Sequence, residues 1–380
     1  MSLRHPQNTI RTPLRLGLRA VLVLLACTGC GSRMTESAAT ESVLLLESVT
    51  VIDGTGAPAR ASLSVAVTGE RISAVGPAGS VRAISGPGAE PIDASGRFLI
   101  PGLWDMHVHL GGLDAGTRAG PAFIAHGVTG VRDMGSPLDE ILTLRDRWSN
   151  ASPSGPRLVA AGPILQGPLP FELPLIRSVR GPAEARAAVD DLLRAGVDFI
   201  KVGDTVPPDA YRALADRARR RGLPVVGHLP VAIAAADVAL AGQRSIEHFG
   251  SARFHGLLLA ASSEEGPLTR RVRALLDAAR EGDAAADARL FHAALTAPLA
   301  DSFSPQKAAA LFRTFADRGT AQVPTFVALR SVWDAQADGM TAQDRRAADR
   351  VWDRYREMVR LLRDAGVPIL AGTDQAPDGA

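Results

Sequence analysis

The stretch that decides the fold runs from Pro101 to Leu110 and reads PGLWDMHVHL. Successive side chains of a β-strand point to opposite faces, so His107 and His109 share one face while Val108 points to the other. A single histidine in such a run would be interpreted as a packed core residue, but two imidazoles on one face at a strand end can bind a single cation. The stretch therefore predicts a strand that ends in two metal ligands.

After Phe98, short apolar stretches alternate with helical stretches rich in Ala, Arg and Leu, which is typical of a parallel α/β fold. The predicted strands are Leu99–Leu110, Val128–Asp133, Arg157–Ala161, Phe199–Val202, Pro224–His228, Ser245–Phe249, Gln322–Val327 and Val367–Thr373. Helices such as Pro182–Ala195 and Pro208–Arg221 separate most of them. Eight strands with helical crossovers predict a TIM-type (β/α)8 barrel over residues 98–380, with its active site at the carboxyl ends of the strands. The long interval Gly250–Thr320 predicts extra helices near the mouth of that site.

Four further strand ends carry a side chain of a type that binds metal. They are Lys201, His228, His248 and Asp374. Because a barrel brings the carboxyl ends of its strands together, we expect these four residues to join the first two histidines in one six-residue metal centre.

The remaining polar residues near these motifs fit simpler roles. His126, His255 and His292 do not end a predicted strand, so we interpret them as surface or packing residues. Glu247 should face away from His248 on the same strand, which favours a structural hydrogen bond or salt bridge.

Lys201 lies in the apolar strand Phe199–Val202, where a buried ammonium is costly unless it is paired or chemically changed. One interpretation is a salt bridge to a neighbouring carboxylate such as Asp198 or Asp204. The other is carboxylation by CO₂, which makes an anionic carbamate whose two oxygens can bridge two metals. The residues alone leave both interpretations open.

The amino terminus has the pattern of an export signal. Four arginines precede a short apolar run, Ala20–Ala26, which is too short to span a bilayer and leads into Cys27 and Cys30. This pattern predicts a lipoprotein-type signal peptide over residues 1–30, with an acylated cysteine that anchors an exported protein to the periplasmic or extracytoplasmic face of the membrane. Either cysteine can be the acylated one, and an ordinary cleaved signal is the alternative. These are the only two cysteines, so the mature chain has neither a disulfide framework nor a thiolate metal site.

Composition sets the remaining limits. The chain has 380 residues, 46% of them hydrophobic, which is enough for one large domain and a smaller one. Lys and Arg number 42 against 40 Asp and Glu, without a basic block, which argues against nucleic-acid binding. Residues 31–42 read as a linker. Residues 43–97 hold short β-prone runs between turn residues and predict a small β-module.

These motifs together resemble the amidohydrolase superfamily, in particular its imidazolonepropionase-like and prolidase-like (Xaa-Pro dipeptidase) branch. The matching runs are Asp53–Gly56, Ile92–Gly96, Pro101–His109, Gly127–Asp133, Ile200–Val202, Gly227–Pro230, Ser245–His248, Val323–Thr325 and Gly372–Asp374. The resemblance covers the chain from about Val43 to its carboxyl terminus. It implies that the module of residues 43–97 is part of a composite β-sandwich beside the barrel.

The resemblance also implies how the six residues divide. His107, His109 and Asp374 would hold one metal, His228 and His248 a second, and a carboxylated Lys201 would bridge them. Zinc is the expected metal, since the ligands are imidazole and carboxylate and no thiolate is available. The implied reaction is hydrolysis of an amide, peptide or cyclic amide bond in a small or dipeptide-like substrate. A metal-activated bridging hydroxide is the nucleophile, and Asp374 is the general base and then acid.

The carboxyl terminus departs from this pattern. The chain stops six residues after Asp374, before the helices and returning β-strands that family members usually have. We interpret the sequence as a fragment of a longer gene product, because the ligand positions themselves are filled.

Two other functions compete with this one. A deaminase or imidazolonepropionase-type hydrolase would use one metal and would not need a carboxylated Lys201. A truncated, non-catalytic metal-binding lipoprotein is the third hypothesis. The sequence contains no motif that identifies the substrate.

Overall fold

The computed structural model describes residues 42–111, 113–150, 155–169 and 172–375. The predicted signal peptide, and the predicted linker up to residue 41, lie outside these residues. Within them, no helix combines the length and the hydropathy that crossing a membrane requires. The described chain divides into two compact units, residues 42–100 and residues 101–375.

The first unit is a five-stranded sheet with one helix. Its strands are β1 (Val43–Val51), β2 (Arg60–Thr68), β3 (Arg71–Pro77), β4 (Glu90–Asp93) and β5 (Phe98–Leu99), and its helix is α1 (Ala78–Ser85). The sheet order is β3-β2-β1-β4, antiparallel between β1 and its hairpin partner β2 and parallel between β1 and β4. The predicted strands of this module are confirmed, but α1 was not predicted. The described residues form one sheet here, so the sandwich stays a prediction.

The second unit alternates strands and helices. Its strands are β6 (Leu103–Val108), β7 (Val128–Asp133), β8 (Arg157–Ala160), β9 (Ile164–Gln166), β10 (Ile176–Ser178), β11 (Ile200–Val202), β12 (Val225–Gly227), β13 (Ser245–Glu247) and β14 (Ala321–Val323). Its α-helices are α2 (Leu113–Ala125), α3 (Leu138–Asn150), α4 (Pro182–Ala195), α5 (Pro208–Arg221), α6 (Ala235–Leu240), α7 (Gly256–Ala260), α8 (Glu265–Arg280), α9 (Ala284–Arg289), α10 (Ala293–Asp301), α11 (Pro305–Arg318), α12 (Phe326–Ala335) and α13 (Ala342–Asp364). The predicted α/β class is confirmed, as are the extra helices between residues 250 and 320.

The strands of this unit pair in parallel. One sheet has the order β6-β7-β8 and the other β10-β9-β11-β12-β13-β14. Residues 368–375 run between β14 and β6: Leu370 N–H donates to the Gln322 carbonyl, and Met106 N–H donates to the Ala371 carbonyl, each at 2.8 Å. The carboxyl ends of β6 and β14 and the end of the described chain therefore lie side by side.

Several predicted boundaries were wrong, each for a local reason. The predicted strand Leu99–Leu110 is interrupted at Pro101-Gly102, so that β5 ends at Leu99 and β6 begins at Leu103. The strand predicted over Gln322–Val327 ends at Val323, because Pro324 lacks an N–H donor and Thr325, at φ 47°, starts helix α12. The strand predicted over Ser245–Phe249 ends at Glu247, because His248 and Phe249 turn to φ 50° and 52°. Residues 367–373 make bridging hydrogen bonds but no regular strand, and β9 and β10 were not predicted.

Candidate metal centre

Three of the six predicted ligands converge at the end of β6. His107 Nε2 lies 3.4 Å from both His109 Nε2 and Asp374 Oδ1. His109 Nε2 lies 3.5 Å from the same carboxylate oxygen. One ligand atom from each residue falls within 4.8 Å of the others. This triad has the donors and the spacing of a site for one cation.

The backbone around β6 brings the last segment of the chain to this triad. Asp105, buried on β6, accepts hydrogen bonds from His107 N–H at 3.1 Å and from Thr373 N–H and Oγ1–H at 3.0 and 2.6 Å. Asp374 N–H donates to the His107 carbonyl at 2.7 Å. A glycine at position 372 permits this approach, because a Cβ there would lie 2.9 Å from His107 Cβ. Asp105 thus holds His107 and Asp374 in one arrangement.

The other three predicted ligands lie beside the triad. His248 Nδ1 is 3.8 Å from Asp374 Oδ2, and its ring centroid is 4.2 Å from that of His107. The His228 ring centroid is 5.4 Å from that of His248. Lys201 lies on β11, which pairs in parallel with β12, the strand that ends just before His228. Burial is the main cause of the lowered pKa values of His107, His109 and His248, and the charge of Lys201 adds to it. The structure brings the six residues predicted from sequence into one region, with His107, His109 and Asp374 closest together.

In His107 and His109, a hydrogen bond at Nδ1 leaves Nε2 free to bind a cation. His107 Nδ1 lies 2.8 Å from Glu247 Oε2, and His109 Nδ1 lies 2.9 Å from the Gly135 carbonyl. Carboxylate and carbonyl oxygens only accept, so each Nδ1 carries the proton and each Nε2 presents a lone pair to the site. His248 Nδ1 similarly lies 2.6 Å from Thr325 Oγ1, whose own proton is donated to the Pro324 carbonyl.

Glu247 and Arg132 form a buried ion pair behind His107. Arg132 donates from Nη2 to both Glu247 carboxylate oxygens at 2.9 and 3.0 Å, from Nε to the Met106 carbonyl and from Nη1 to Ser245 Oγ. Ser245 Oγ also donates to Glu247. The predicted structural hydrogen bonds and salt bridge of Glu247 are therefore present, with Arg132, Ser245 and His107 as its partners. Arg132 was not predicted to belong to the site.

Lys201 has no such partner. Its side chain is buried, with 1% of the residue exposed, and no described residue makes a hydrogen bond or ion pair with its ammonium. Asp198 pairs with Arg145 instead, while Asp204 accepts from Ser251 and Ala252. The salt-bridge interpretation of Lys201 is therefore wrong for both proposed partners.

Burial governs the ionisation of the site. It lowers the pKa of His107 and His248 well below the ordinary value of 6.5, with neighbouring positive groups adding to the effect. It lowers the pKa of Lys201 to about 8 and raises the pKa of the Asp374 carboxyl. His107 and His248 are thus neutral at neutral pH.

The remaining histidines are placed as predicted. His126 and His292 are exposed. His255 is buried, donates from Nε2 to the Leu290 carbonyl at 2.9 Å and packs beside Phe291 and Trp333. None of the three lies in the described metal cluster.

Known proteins resemble this chain in sequence and in fold. An imidazolonepropionase from Rubrobacter xylanophilus is 50% identical over 48 residues, which is 12% of this chain and 12% of that protein. An adenine deaminase from Paracoccus denitrificans is 32% identical over 124 residues, 28% of this chain and 20% of that protein. The chain thus matches only a minor part of the length of these curated relatives. A crystal structure of a prolidase complexed with N-methylphosphonate-L-proline superposes with a TM-score of 0.60 at 21% identity, over 88% of this chain and 78% of that one, which shows a shared fold.

The family model described as the Amidohydrolase family matches residues 98–379, which is most of the chain and all of the second unit's candidate site. The family predicted from sequence is therefore confirmed. The chain belongs to the amidohydrolase family.

Proposed function

We propose that this chain hydrolyses a C–N bond with two divalent cations. His107, His109 and Asp374 would hold the first, and His228 and His248 would hold the second. A carboxylated Lys201 would supply a further anionic ligand.

The main support for the proposal is that three atoms with free lone pairs lie close together and share no proton. The Nε2 atoms of His107 and His109 and the Oδ1 atom of Asp374 lie 3.4–3.5 Å apart, and both Nδ1 atoms already carry the ring protons. Three acceptors at this distance repel one another unless a cation lies among them. Imidazole and carboxylate donors of this kind suit zinc.

The hydrogen-bond partners of the acidic side chains also support a cation at Asp374. Asp105, Asp133, Asp204 and Glu247 each accept at least two hydrogen bonds from protein donors. Asp374, whose side chain is 21% exposed, accepts none from a described residue. Since a carboxylate in this setting needs a donor or a cation, Asp374 fits a metal ligand.

Lys201 fits a carbamate for a similar reason. An unpaired ammonium among four histidines would oppose the binding of cations. Attack of its neutral Nζ on CO₂ forms one N–C bond and releases one proton to water, which turns the positive group into an anionic ligand with two oxygens. After this reaction Lys201 is no longer a buried cation without a partner, and its negative charge favours the binding of cations.

When bound, the metals would polarise the substrate carbonyl and lower the pKa of a coordinated water. The chain's own residues supply orientation and proton transfer. Glu247 and the Gly135 carbonyl fix the rings of His107 and His109, and Asp105 fixes Asp374 through Thr373. Asp374 Oδ2, which has no donor among the described residues, can take a proton and return it to the leaving nitrogen.

We further propose that the second unit is a closed eight-stranded barrel and that the protein is an exported lipoprotein. The hydrogen bonds of residues 368–375 to both β14 and β6 support the barrel, as does the bond from Asp198 N–H to the Ala160 carbonyl between β11 and β8. The arginine-rich and apolar pattern of residues 1–30 supports the export signal. The substrate class is a dipeptide, an N-acyl amino acid or a cyclic amide.

Metal counting tests the site. The zinc-loaded protein should contain two ions per chain, and Lys201→Ala should retain one or none. Lys307, the only other lysine, forms an exposed ion pair with Glu265, so Lys307→Ala is a matched control that should keep both. With ¹³C-labelled bicarbonate, a carbamate carbon resonance should be present in the control and absent in Lys201→Ala.

Turnover tests the chemistry. The zinc-loaded protein should hydrolyse at least one member of a panel of dipeptides, N-acyl amino acids and cyclic amides, and Asp374→Asn should abolish this activity. One ion per chain, unaffected by Lys201→Ala, would instead favour a mononuclear deaminase-type hydrolase. The three-residue triad and the adenine deaminase similarity make that the second candidate. Absence of both metal and turnover would overturn both.

A further inference from the structure

The chain immediately after β13 has an unusual backbone. All seven residues from His248 to Phe254 have positive φ, and six of them are not glycine: His248 (50°), Phe249 (52°), Ser251 (47°), Ala252 (41°), Arg253 (47°) and Phe254 (80°). We call residues 248–254 the left-handed segment. L-residues disfavour this region because Cβ crowds the following carbonyl. Such a conformation persists only where surrounding contacts hold it.

One carboxylate, that of Asp204, makes two of those contacts. Asp204 Oδ1 accepts from Ala252 N–H at 2.6 Å, and Oδ2 accepts from Ser251 Oγ–H at 2.9 Å. Hydrogen bonds to an ionised carboxylate are among the stronger ones in proteins. Other contacts also hold the segment. Tyr355 Oη–H donates to the Phe254 carbonyl at 3.0 Å, Leu229 N–H donates to the Gly250 carbonyl at 3.1 Å, and the Phe249 ring stacks on that of Tyr355. Arg253 forms an exposed ion pair with Asp287.

The same carboxylate contacts the next histidine. Asp204 Oδ2 lies 3.1 Å from His228 Nδ1. The contact is close but not aligned as a hydrogen bond, and no described residue forms an aligned one with that nitrogen. The Asp204 side chain is only 15% exposed and that of His228 17%, so water screens their interaction weakly. Asp204 therefore touches both His228 and the segment that begins at His248.

We propose that Asp204 is a positioning residue that fastens His228 and the left-handed segment to each other, so that the His228–His248 half of the site is assembled before metal binds. Asp204 lies three residues after Lys201, on the loop that leaves β11. The half of the site that depends on Asp204 is the one assigned above to the second cation, so the metal part of this inference rests on the proposed function. The structural part does not.

The structural part is tested on metal-free protein by limited digestion with trypsin. The Arg253–Phe254 bond lies inside the left-handed segment, and the Arg253 side chain is 49% exposed. Asp204→Ala removes both acceptors, so the segment should open and cleavage after Arg253, followed by mass spectrometry, should be about tenfold faster or more. Ser251→Ala removes one of the two bonds and should give a smaller increase, which keeps the test available if Asp204→Ala does not fold.

Two controls separate this role from general loosening. Asp287→Asn breaks the exposed ion pair of Arg253 but leaves Asp204 in place, and it should change the cleavage rate by less than about twofold. Asp198→Asn alters the carboxylate just before β11, which pairs with Arg145 at the surface, and it should leave cleavage at Arg253 unchanged.

Asp204→Asn separates the two contacts of Asp204. An asparagine keeps an acceptor oxygen for Ala252 N–H, so the segment should stay protected from trypsin. It removes the negative charge beside the His228 ring, and loss of such a partner typically weakens metal binding about 10- to 100-fold. We therefore expect one zinc to bind with unchanged affinity and the second to bind that much more weakly. Isothermal titration with Zn²⁺ and metal analysis measure both, and Co²⁺ spectra should show the change at one of two ions.

The outcomes are distinct. Wild-type cleavage rates in both Asp204→Ala and Ser251→Ala, or an equal increase in Asp287→Asn, would overturn the fastening role. Two zinc ions of unchanged affinity in Asp204→Ala and Asp204→Asn would overturn the positioning role. If the wild-type protein binds fewer than two zinc ions, the two-metal function fails, and the trypsin rates alone decide whether Asp204 holds the segment.

Discussion

Replacing Arg132 by methionine tests how much the buried ion pair behind His107 contributes to stability. The Arg132 side chain is 7% exposed and the Glu247 side chain is fully buried. The guanidinium makes four hydrogen bonds, two of them to Glu247. Methionine fills much of the same volume but leaves the carboxylate without its countercharge. Removing one partner of a buried pair typically costs about 3–5 kcal/mol.

We therefore expect Arg132→Met to lower the free energy of unfolding by about 3–5 kcal/mol, a large share of the roughly 5–15 kcal/mol typical of a domain. Adding Glu247→Gln removes the uncompensated charge while keeping an acceptor for His107 Nδ1. The double variant should therefore be about 1–3 kcal/mol more stable than Arg132→Met alone. Urea unfolding followed by circular dichroism, with EDTA present throughout, measures the protein without a contribution from metal.

A matched control is Arg356→Met. Arg356 pairs with Asp353 at the surface, with side chains 55% and 71% exposed, and its loss should cost less than about 1 kcal/mol. The reasoning fails if Arg132→Met lies within about 1 kcal/mol of the wild type, or if Arg132→Met and Glu247→Gln are simply additive.

Three further perturbations act on other parts of the molecule. Asp105→Ala removes the acceptor that links His107 to the last segment, so zinc affinity, measured by competition with a chromogenic chelator, should fall about 10- to 100-fold. Gly227→Ala would place a Cβ 2.2 Å from the Val202 carbonyl oxygen. The melting temperature should therefore fall by an amount that corresponds to about 2 kcal/mol or more of stability. In the control Gly79→Ala the new Cβ meets no atom within 4 Å, so the melting temperature should not fall. His255 has its pKa lowered by burial to about 4, so below its ordinary value of 6.5 the unfolded chain takes up a proton that the folded chain does not. Stability should therefore fall by about 2–3 kcal/mol between pH 7 and pH 4.5 through this residue, and His255→Leu should show a correspondingly shallower acid dependence in urea midpoints.

Each of these has a clear contrary result. Unchanged chelator competition in Asp105→Ala would mean that the backbone alone positions Asp374. Equal melting temperatures for Gly227→Ala and the wild type would show that β11 and β12 can move apart without cost. Parallel acid profiles for His255→Leu and the wild type would place the acid-sensitive groups elsewhere.

The parts of the fold that were predictable from sequence depend on local signals. Helices α4 and α5 have the predicted bounds, because each has a proline in its first turn and a glycine in the left-handed cap at its end. His107 and His109 were predictable because the two-residue period of a strand is enough to place both on one face. His228 and His248 were predictable because each follows a short apolar run.

The residues that hold the ligands were not predictable, because their partners are distant in sequence. Arg132 and Glu247 are 115 positions apart, and Asp105 and Thr373 are 268 apart. Asp204 was considered only as a partner for Lys201, since that is the cation nearest to it in sequence. The left-handed segment contains one glycine in seven residues, so composition does not indicate its backbone. In each case the pairing exists only once the strands have assembled.

The two halves of the site are built by different means, and this difference has a consequence for how they hold metal. His107 and Asp374 are joined by backbone hydrogen bonds between parallel segments and by Asp105, and Asp374 is the one residue of the pair with a positive φ, 59°. His248 starts a segment of disfavoured backbone, and two hydrogen bonds to Asp204 are among the contacts that oppose its release. Disfavoured backbone lowers the free energy needed for local opening once such contacts are lost. We therefore expect any metal bound by His228 and His248 to compete with opening of residues 248–254, so that substitutions of Asp204 weaken metal binding at this half of the site.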